Sequence, residues 1–445
     1  MPDNNFFKAE SYLKSLGYRG MKLGLDNITS LLGALGNPHR HIIVIHVAGT
    51  NGKGSTCSMI SSILSEAGIS NGLYTSPHVE TFRERIQVDG NMIGETEAAD
   101  LVWSITDSIS KKNDILPTYF EFMTAMALCH FERKGCSVAV MEVGLGGRFD
   151  STNIVNTHVS VITSIDLDHT EHLGGDLVSI AFEKSGIIKP TRPVVISVQD
   201  NLARERIVER AKELHAPTAI MGKNFSYQRQ KIGNYYETLD FISDDIQLDE
   251  TKISLCGSMQ PSNAATAIQA VNTLQEYGIK IREDSIRSGL QKVPTNSRFE
   301  IISTNPLVIL DGAHNPAAAY ALSQTLTERF GLQSVDFVFG AMADKDYSQM
   351  LHNLAPVALS FTMFSPKVPR AEDPSKLARA QKVASIPTQV ITFCNEVVDT
   401  IMNSNPKSIW VITGSFYTLG ELKPALRKYF SCEPDTSNHN TTISV

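Results

Sequence analysis

Nowhere does this chain carry an apolar run approaching the roughly 18 residues that a membrane-crossing helix requires, so no membrane partner is expected. The opening MPDNNFFKAESYLKSLGY has no basic patch leading into an apolar core, and no secretory signal is expected there. C-x-x-C pairs are absent too. The six cysteines (Cys57, Cys129, Cys136, Cys256, Cys394 and Cys432) are scattered, mostly within apolar stretches, and read as small reduced hydrophobes. A reduced chain without a leader is expected in the cytoplasm. Positive charge is not in excess: 40 Lys and Arg against 47 Asp and Glu leave a net charge of -7 and a pI near 6.0. No global field draws nucleic acid, so an anionic substrate must be met by local cations. Internal repeats and low-complexity tracts are also missing.

What is present is an ordinary globular composition, 42% hydrophobic and 20% charged over 445 residues, enough chain for two or three domains. A strand-then-helix rhythm starts at HIIVIHV (41–47), a continuous apolar run that reads as a strand buried on both faces. GTNGKG breaks it, and apolar residues then recur at helical spacing from Met59 to Ala67. Further strands are predicted at SVAVMEV (137–143), HVSVITSI (158–165) and PVVISV (193–198), with helical segments between. That alternation predicts an α/β fold with a mainly parallel sheet. PSNAATAIQAVNTLQEYG (261–278) and EDSIRSGLQKV read as helices, and PTNS then breaks the pattern. The rhythm restarts at LVILDGA (307–313), continuing through VDFVFGA, LSFTMF, TQVITF and SIWVIT. The expected organisation is a P-loop-containing domain over 1–295 and a smaller Rossmann-like α/β domain over 296–430. The polar tail 431–445 is expected to be disordered.

HVAGTNGKGST (46–56) is almost a phosphate-binding loop of the form G-x-x-x-x-G-K-[ST], but Lys53 is followed by Gly54 and the hydroxyls arrive late. A strand, a glycine turn and a helix in that order present outward backbone N–H groups to an anion. Gly49, Gly52 and Gly54 permit close approach, with Thr50 and Asn51 between them. Lys53 supplies a cation, and Ser55 or Thr56 offers a hydroxyl to magnesium. A plain glycine turn is the bland alternative.

The loop G-T-N-G-K-G-S resembles that of the Mur ligase superfamily and, within it, the folylpolyglutamate synthase/dihydrofolate synthase family. VMEVGLGGRFDSTNIV (140–155) resembles that family's second signature. TSPH (75–78), DHTEHLG (168–174), EKSGIIKP (183–190) and DGAHNP (311–316) follow in the same order, so the resemblance spans about residues 6 to 430. It implies an ATP-dependent ligase, of the bifunctional bacterial type, joining L-glutamate to the carboxylate of dihydropteroate or a reduced folate through an acyl phosphate. ATP and Mg2+, two ions, are the implied cofactors, and the protein is expected to be a monomer.

The resemblance also implies roles for particular residues. Glu142, at a strand end, and His169 resemble metal-site residues, with Ser76 and Ser55 as hydroxyl ligands; taken alone, His169 reads as a hydrogen-bond partner of Asp168. Lys184 matches a carbamylated metal-site lysine, although an arbitrary lysine there reads as a surface residue. Gln260 and Asn263 resemble a nucleotide-contacting pair, with a helix cap as the alternative for Asn263. Arg298 matches a phosphate-binding arginine. Asp311 and His314 match residues on the ATP and glutamate side, and Ser415 a glutamate-side residue. In SPHVETFRERIQVDG and GGRFDSTN, the residues Phe82, Arg83, Arg85 and Arg148 fall where the first substrate is expected: a ring to stack on a pterin and arginines to pair with a carboxylate, or else plain loop residues. Lys53, Lys184 and His314 are the expected catalytic set. Three rival readings stand beside this one: extension of tetrahydrofolate tails only, amino-acid addition to a cell-wall precursor, and a nucleotide-dependent switch. The second ordinarily brings an extra N-terminal domain, whereas only about 40 residues precede the loop here.

Overall fold

The structure, a computed structural model, describes residues 4–17, 20, 24–110, 115–233, 235–382 and 385–430. The expected disordered tail, with Cys432, lies outside the described residues. The chain divides into two compact units: residues 1–228, 239–251 and 262–293 form one, and 229–238, 252–261 and 294–445 the other.

The first unit is built on eight strands: β1 (Ile43–Ala48), β2 (Asn71–Tyr74), β3 (Ile86–Val88), β4 (Asn91–Met92), β5 (Val138–Glu142), β6 (Val159–Ile162), β7 (Val194–Ile196) and β8 (Thr218–Ile220). Their order across the sheet is β4-β3-β2-β5-β1-β6-β7-β8. All neighbours from β2 to β8 run parallel, and only β3 and β4 are antiparallel additions at one edge. β1, β5 and β6 are almost wholly buried and mostly apolar, as strands covered on both faces of a parallel sheet are, with His46, Glu142 and Ser160 the exceptions. The first eight helices are α1 (Asn4–Leu16), α2 (Asp26–Ala34), α3 (Lys53–Glu66), α4 (Glu95–Ser110), α5 (Tyr119–Lys134), α6 (Thr170–Leu173), α7 (Leu177–Ser185) and α8 (Asn201–Glu213). α5 shows how sharply sequence sets an element. A Thr118–Glu121 capping box opens it, and Gly135 in the left-handed conformation closes it. Its buried Phe122, Met126 and Phe131 join α1, α2 and α4 in one core.

From β1 the chain crosses toward β2, and after β5 it passes to β6 on the other side of β1. Such a reversal in strand order points to the C-terminal ends of β1, β5 and β6, where parallel sheets bind ligands.

A three-stranded sheet, order β11-β10-β9, comprises β9 (Phe225–Ile232), β10 (Glu237–Ser243) and β11 (Gln247–Ile253). Sequence pattern did not predict it. The predicted helix at 261–278 is α9 (Gln260–Thr273) continued by a 3-10 turn, and α10 (Glu283–Gln291) follows.

In the second unit, β12 (Glu300–Thr304), β13 (Leu307–Leu310), β14 (Val335–Phe339), β15 (Ala358–Met363), β16 (Thr388–Val390) and β17 (Ile409–Thr413) lie in the order β12-β13-β17-β14-β15-β16. Only β12 is antiparallel to its neighbour. α11 (Pro316–Phe330), α12 (Tyr347–Leu354), α13 (Pro374–Ala380), α14 (Cys394–Met402) and α15 (Phe416–Phe430) complete it. The expected α/β architecture, with its largely parallel sheets, is what the chain forms. Among the described residues no helix is long and apolar enough to cross a membrane, and the five described cysteines are free thiols.

Candidate functional site

The glycine loop joins β1 to α3. A Cβ on Gly49 would collide with Thr163 Oγ1 and one on Gly52 with Asn263 Oδ1, so the loop packs too closely for any other residue. Gly52 also sits at φ +84°, immediately before the first helical residue, Lys53. Lys53 Nζ folds back onto its own loop and donates to the carbonyls of Gly49 and Thr50, each at 2.9 Å. The turn after β6 holds the loop from outside. Thr50 Oγ1 donates to the Asp166 carbonyl and accepts from its N–H, both at 3.0 Å. Asn51 Nδ2 donates to Asp166 Oδ2 at 3.0 Å, and Thr163 Oγ1 to the Asn51 carbonyl at 2.7 Å. Thr163, Ser164 and Asp166 were not singled out in the sequence; the only available signal was their position after a strand adjacent to β1. Ser55 and Thr56 are buried in the first turn of α3, and Thr56 Oγ1 has no hydrogen-bond partner. Asn263, in α9, is buried against Gly52 rather than capping that helix from outside it.

Beside the loop, β5 ends on Glu142, which is buried and accepts the Ser76 backbone N–H at 2.9 Å. The Gly144–Gly147 turn that follows is pinned by Asp150, whose Oδ2 accepts from Gly144 N (3.1 Å) and Leu145 N (2.9 Å). Burial pushes the Asp150 carboxyl above its ordinary range, against the pull of these hydrogen bonds. A Cβ on Gly147 would lie 2.8 Å from the Glu183 carbonyl and 2.9 Å from that of Lys184, so the turn seats directly on the end of α7.

Lys184 is 4% exposed, and its Nζ donates to the Gly49 carbonyl at 2.8 Å. Burial, then repulsion from Lys53, lowers its pKa to about 7, while Asp168, Asp150 and Asp166 pull the other way. The surface-lysine alternative is excluded. His169 takes a left-handed backbone at the start of α6, its N–H donating to Asp168 Oδ1 at 2.9 Å and its Nε2 lying 3.9 Å from the same oxygen.

The residues expected at the first substrate divide. Phe82 is a core residue, 4% exposed and stacked on Phe6 at 5.7 Å between centroids. Arg83 is engaged: Nε donates to the Ile93 carbonyl at 2.7 Å and Nη1 pairs with Glu95 at 3.0 Å. Arg148 pairs with Glu183 at 2.6 Å, and its guanidinium stacks on Phe149 (4.2 Å) and Phe182 (4.9 Å). The structure therefore makes Arg148 a fastener between the turn and α7. Arg85 differs from both. It is 9% exposed, its Nε donates to His78 Nδ1 at 2.8 Å, and its guanidinium lies 5.4 Å from the Tyr119 ring centre. Among the described residues no carboxylate pairs with it.

The second unit gathers its own candidates at the C-terminal ends of β13 and β17. Asp311 accepts from Phe299 N and Ala313 N, each at 3.0 Å; burial raises its pKa and the Arg298 charge opposes that rise. Arg298 lies 5.0 Å from the Phe416 ring centre, and the His314 ring lies 5.5 Å from it. His314 Nδ1 bonds the Gly312 carbonyl at 2.9 Å. Ser415 Oγ is buried against Thr418 Oγ1 at 2.9 Å. Gln260 begins α9, its N–H donating to the Gly257 carbonyl at 3.0 Å. Nothing in the sequence pattern flagged the buried Glu300, which pairs with Lys423 (2.7 Å) and Arg427 (3.0 Å) and also accepts the Ser297 N–H.

Among the described residues no group of three or more His, Cys, Asp or Glu is gathered closely enough to hold a metal by itself. A magnesium ion usually takes only one or two carboxylates, with hydroxyls and substrate phosphates completing its shell. The Glu142 carboxylate and the orphaned, buried Thr56 hydroxyl fit that kind of donor set.

Residues 47–271 match the Mur ligase middle domain and 297–416 the Mur ligase glutamate ligase domain. The chain is 36% identical over 429 residues to the dihydrofolate synthase/folylpolyglutamate synthase of Bacillus subtilis, covering 94% of this chain and 98% of that protein. Its fold is similar to that of Escherichia coli FolC in complex with DHPP and ADP, with TM-score 0.86, 31% identity and coverage of 96% and 99%. It is also similar to the Yersinia pestis bifunctional folylpolyglutamate synthase/dihydrofolate synthase complexed with AMPPNP and Mn ion, with TM-score 0.84, 30% identity and coverage of 96% and 99%.

Proposed function

The chain belongs to the dihydrofolate synthase/folylpolyglutamate synthase family and is an ATP-dependent acid–amino-acid ligase, and on that premise we propose that it takes both dihydropteroate and reduced folates as acids, with L-glutamate as the amine. The carrying observation is the convergence of Lys53 and Lys184 on one carbonyl of the loop between β1 and α3. Lys53 is held where an incoming phosphate would replace that carbonyl as its partner, and Lys184 is held beside it as the amine to be modified.

A carboxylate is a poor electrophile until one of its oxygens becomes part of a leaving group. Phosphoryl transfer from ATP gives an acyl phosphate and ADP; attack by the glutamate amine gives the amide and releases phosphate. In this reading the N–H groups of Gly52 to Ser55 and the Lys53 ammonium hold the ATP phosphates, while the Thr50 N–H stays on the Ser164 carbonyl at 2.7 Å. Gln260, Asn263, Arg298 and Asp311 contribute further nucleotide contacts, and His314 and Ser415 serve the glutamate side. Arg85, carrying a buried charge without a carboxylate, pairs with the acid substrate. Arg148 and Arg83 support the walls of that site, occupied as they are by Glu183 and Glu95.

Glu142, Ser76, Ser55, His169 and a modified Lys184 would hold two Mg2+ ions, which neutralise charge on the phosphates when bound. The Lys184 amine, with its pKa near 7, is neutral often enough to add carbon dioxide, giving a carbamate and one proton. The nucleotide-binding part is assigned to 1–295 and the glutamate-ligase part to 296–430, in a cytoplasmic monomer.

The deciding experiment measures ADP release with L-glutamate and, in turn, dihydropteroate, dihydrofolate, tetrahydrofolate and methylenetetrahydrofolate. Release with dihydropteroate and with at least one reduced folate is expected. Activity with folates alone would reduce the protein to a tail-lengthening enzyme, and ADP release indifferent to glutamate would remove the ligase reading.

A further inference from the structure

His46 lies in the middle of β1, between β5 and β6, and is completely buried. Its two ring nitrogens meet two threonines: Nε2 is 2.8 Å from Thr152 Oγ1, and Nδ1 is 3.4 Å from Thr157 Oγ1. A buried imidazole flanked by hydroxyls on both sides can be arranged in two ways, and the next residue along decides which. Thr152 Oγ1 donates to Asp150 Oδ1 at 2.5 Å. Asp150 also accepts three backbone N–H groups, from Thr152 on Oδ1 and from Gly144 and Leu145 on Oδ2. Burial raises the pKa of this carboxyl, but the four donors occupy both of its oxygens and the three N–H groups among them cannot accept, so it receives hydrogens at every contact and gives none.

The single hydrogen of the Thr152 hydroxyl is therefore committed to Asp150. Its lone pair must accept from the imidazole, which requires hydrogen on Nε2. Nδ1 is then bare and accepts from Thr157. Each link points the same way: Thr157 to His46, His46 to Thr152, Thr152 to Asp150. The chain ends on the Gly144–Gly147 turn, and that turn rests on the backbone of Lys184. From the other side, Asn153 Nδ2 donates to the carbonyls of Arg148 (3.0 Å) and Gly186 (3.1 Å), while Lys189 holds Asn153 through Oδ1 (2.8 Å) and its carbonyl (3.0 Å).

We infer that His46 is a positioning residue for the ligation: its Nε2–H orients Thr152, whose hydroxyl holds the Asp150 carboxylate that seats the Gly144–Gly147 turn against Lys184. The activity part of this inference rests on the ligase reading; the hydrogen-bond direction does not. A neutral ring is part of the arrangement, and burial, followed by the nearby Lys189 charge, keeps the imidazole pKa at about 3.

The test has two arms on the full chain. In the first, 15N NMR of the histidine rings at neutral pH is expected to show His46 protonated on Nε2 and bare on Nδ1; the Nδ1–H tautomer or an imidazolium overturns the inference. In the second, His46→Leu and Thr152→Val are each expected to lower kcat for glutamate-dependent ADP release by about tenfold or more, the cost of losing a supporting hydrogen bond behind a reacting group, with the KM for ATP within about twofold. Thr152→Ser, which keeps the hydroxyl, and His46→Gln, which keeps a donor in place of Nε2, are expected to retain most of kcat. The double variant His46→Leu/Thr152→Val is expected to lose no more than the weaker single variant, because both cut one chain. Folded variants with unchanged kcat, equal losses for Thr152→Ser and Thr152→Val, or additive losses would each overturn it. If the wild-type protein shows no glutamate-dependent turnover, the ligase reading fails and the tautomer still decides the relay.

Discussion

Lys53 and Lys184 donate to one and the same acceptor, the carbonyl oxygen of Gly49, from 2.9 and 2.8 Å. Two ammonium groups on one carbonyl repel each other, and this repulsion stands second only to burial among the causes that depress the Lys184 pKa. A phosphate brought to this turn gives Lys53 a better partner than a neutral carbonyl, and conversion of Lys184 to a carbamate removes the repulsion between the two. The loop thus holds both amines on one of its own carbonyls.

Lys53→Ala should cut ligation by about 100- to 1000-fold, the usual cost of one preorganised charge-stabilising donor. Its melting temperature should stay close to wild type, since Lys53 Nζ donates to carbonyls of its own loop rather than to the apolar core. The same substitution should raise the pKa of Lys184 by removing the repulsion. Steady-state kinetics and pH titration of Lys184 by NMR check the two halves, and wild-type turnover would refute the nucleotide role.

Lys184 has its own pH signature. Its folded pKa of about 7 lies below the ordinary 10.5, so between these values the unfolded chain binds a proton that the native chain does not. Stability contributed at this site therefore rises with pH across that window, and below about pH 7 the full burial penalty is present. Lys184→Met should stabilise the fold more at pH 6 than at pH 9 in urea unfolding, while abolishing activity. Crystals grown with bicarbonate and magnesium should show additional density on Nζ; an unmodified amine there would sink the carbamate.

Gly49→Ala and Gly52→Ala should both weaken nucleotide binding severely, for different reasons. At Gly49 a methyl group strikes Thr163, which also holds the Asn51 carbonyl, so the whole turn must shift. At Gly52 it strikes Asn263, and the left-handed backbone adds strain of roughly 1 kcal/mol or more. Calorimetric titration with ADP should find Gly52→Ala/Asn263→Ala better than Gly52→Ala alone, and Gly49→Ala unrescued by changes at Asn263.

Phe82, Arg83 and Arg85 should separate cleanly. Phe82→Ala should cost about 3–5 kcal/mol of stability, as for other buried aromatic truncations. Arg83→Ala should change the KM for the acid substrate little, because Glu95 already engages it. Arg85→Met should raise that KM by about 10- to 100-fold, the worth of a charge-assisted hydrogen bond, and leave the KM for ATP near wild type. Equal KM effects for Arg83 and Arg85 would contradict the assignment.

Short-range pattern by itself determined the strands at 43–48, 138–142 and 159–162, because continuous apolar runs must be covered on both faces. It determined the loop as well: glycines around a lysine between strand and helix leave few other uses for that backbone. Pattern failed for β9, where Phe225 is the sole fully buried residue and no alternation marks the strand. Tertiary structure alone decided which side chains are available. It brings Glu183 to Arg148 from 35 residues away, a pairing that no local pattern marks. Phe82 is stacked on Phe6 from far earlier in the chain, which its own loop did not announce. Asp166, which ties down the loop from 115 residues beyond Asn51, carried no local mark of that task. A residue's type and spacing say what chemistry it can do; the segments packed on it say whether that chemistry is still free.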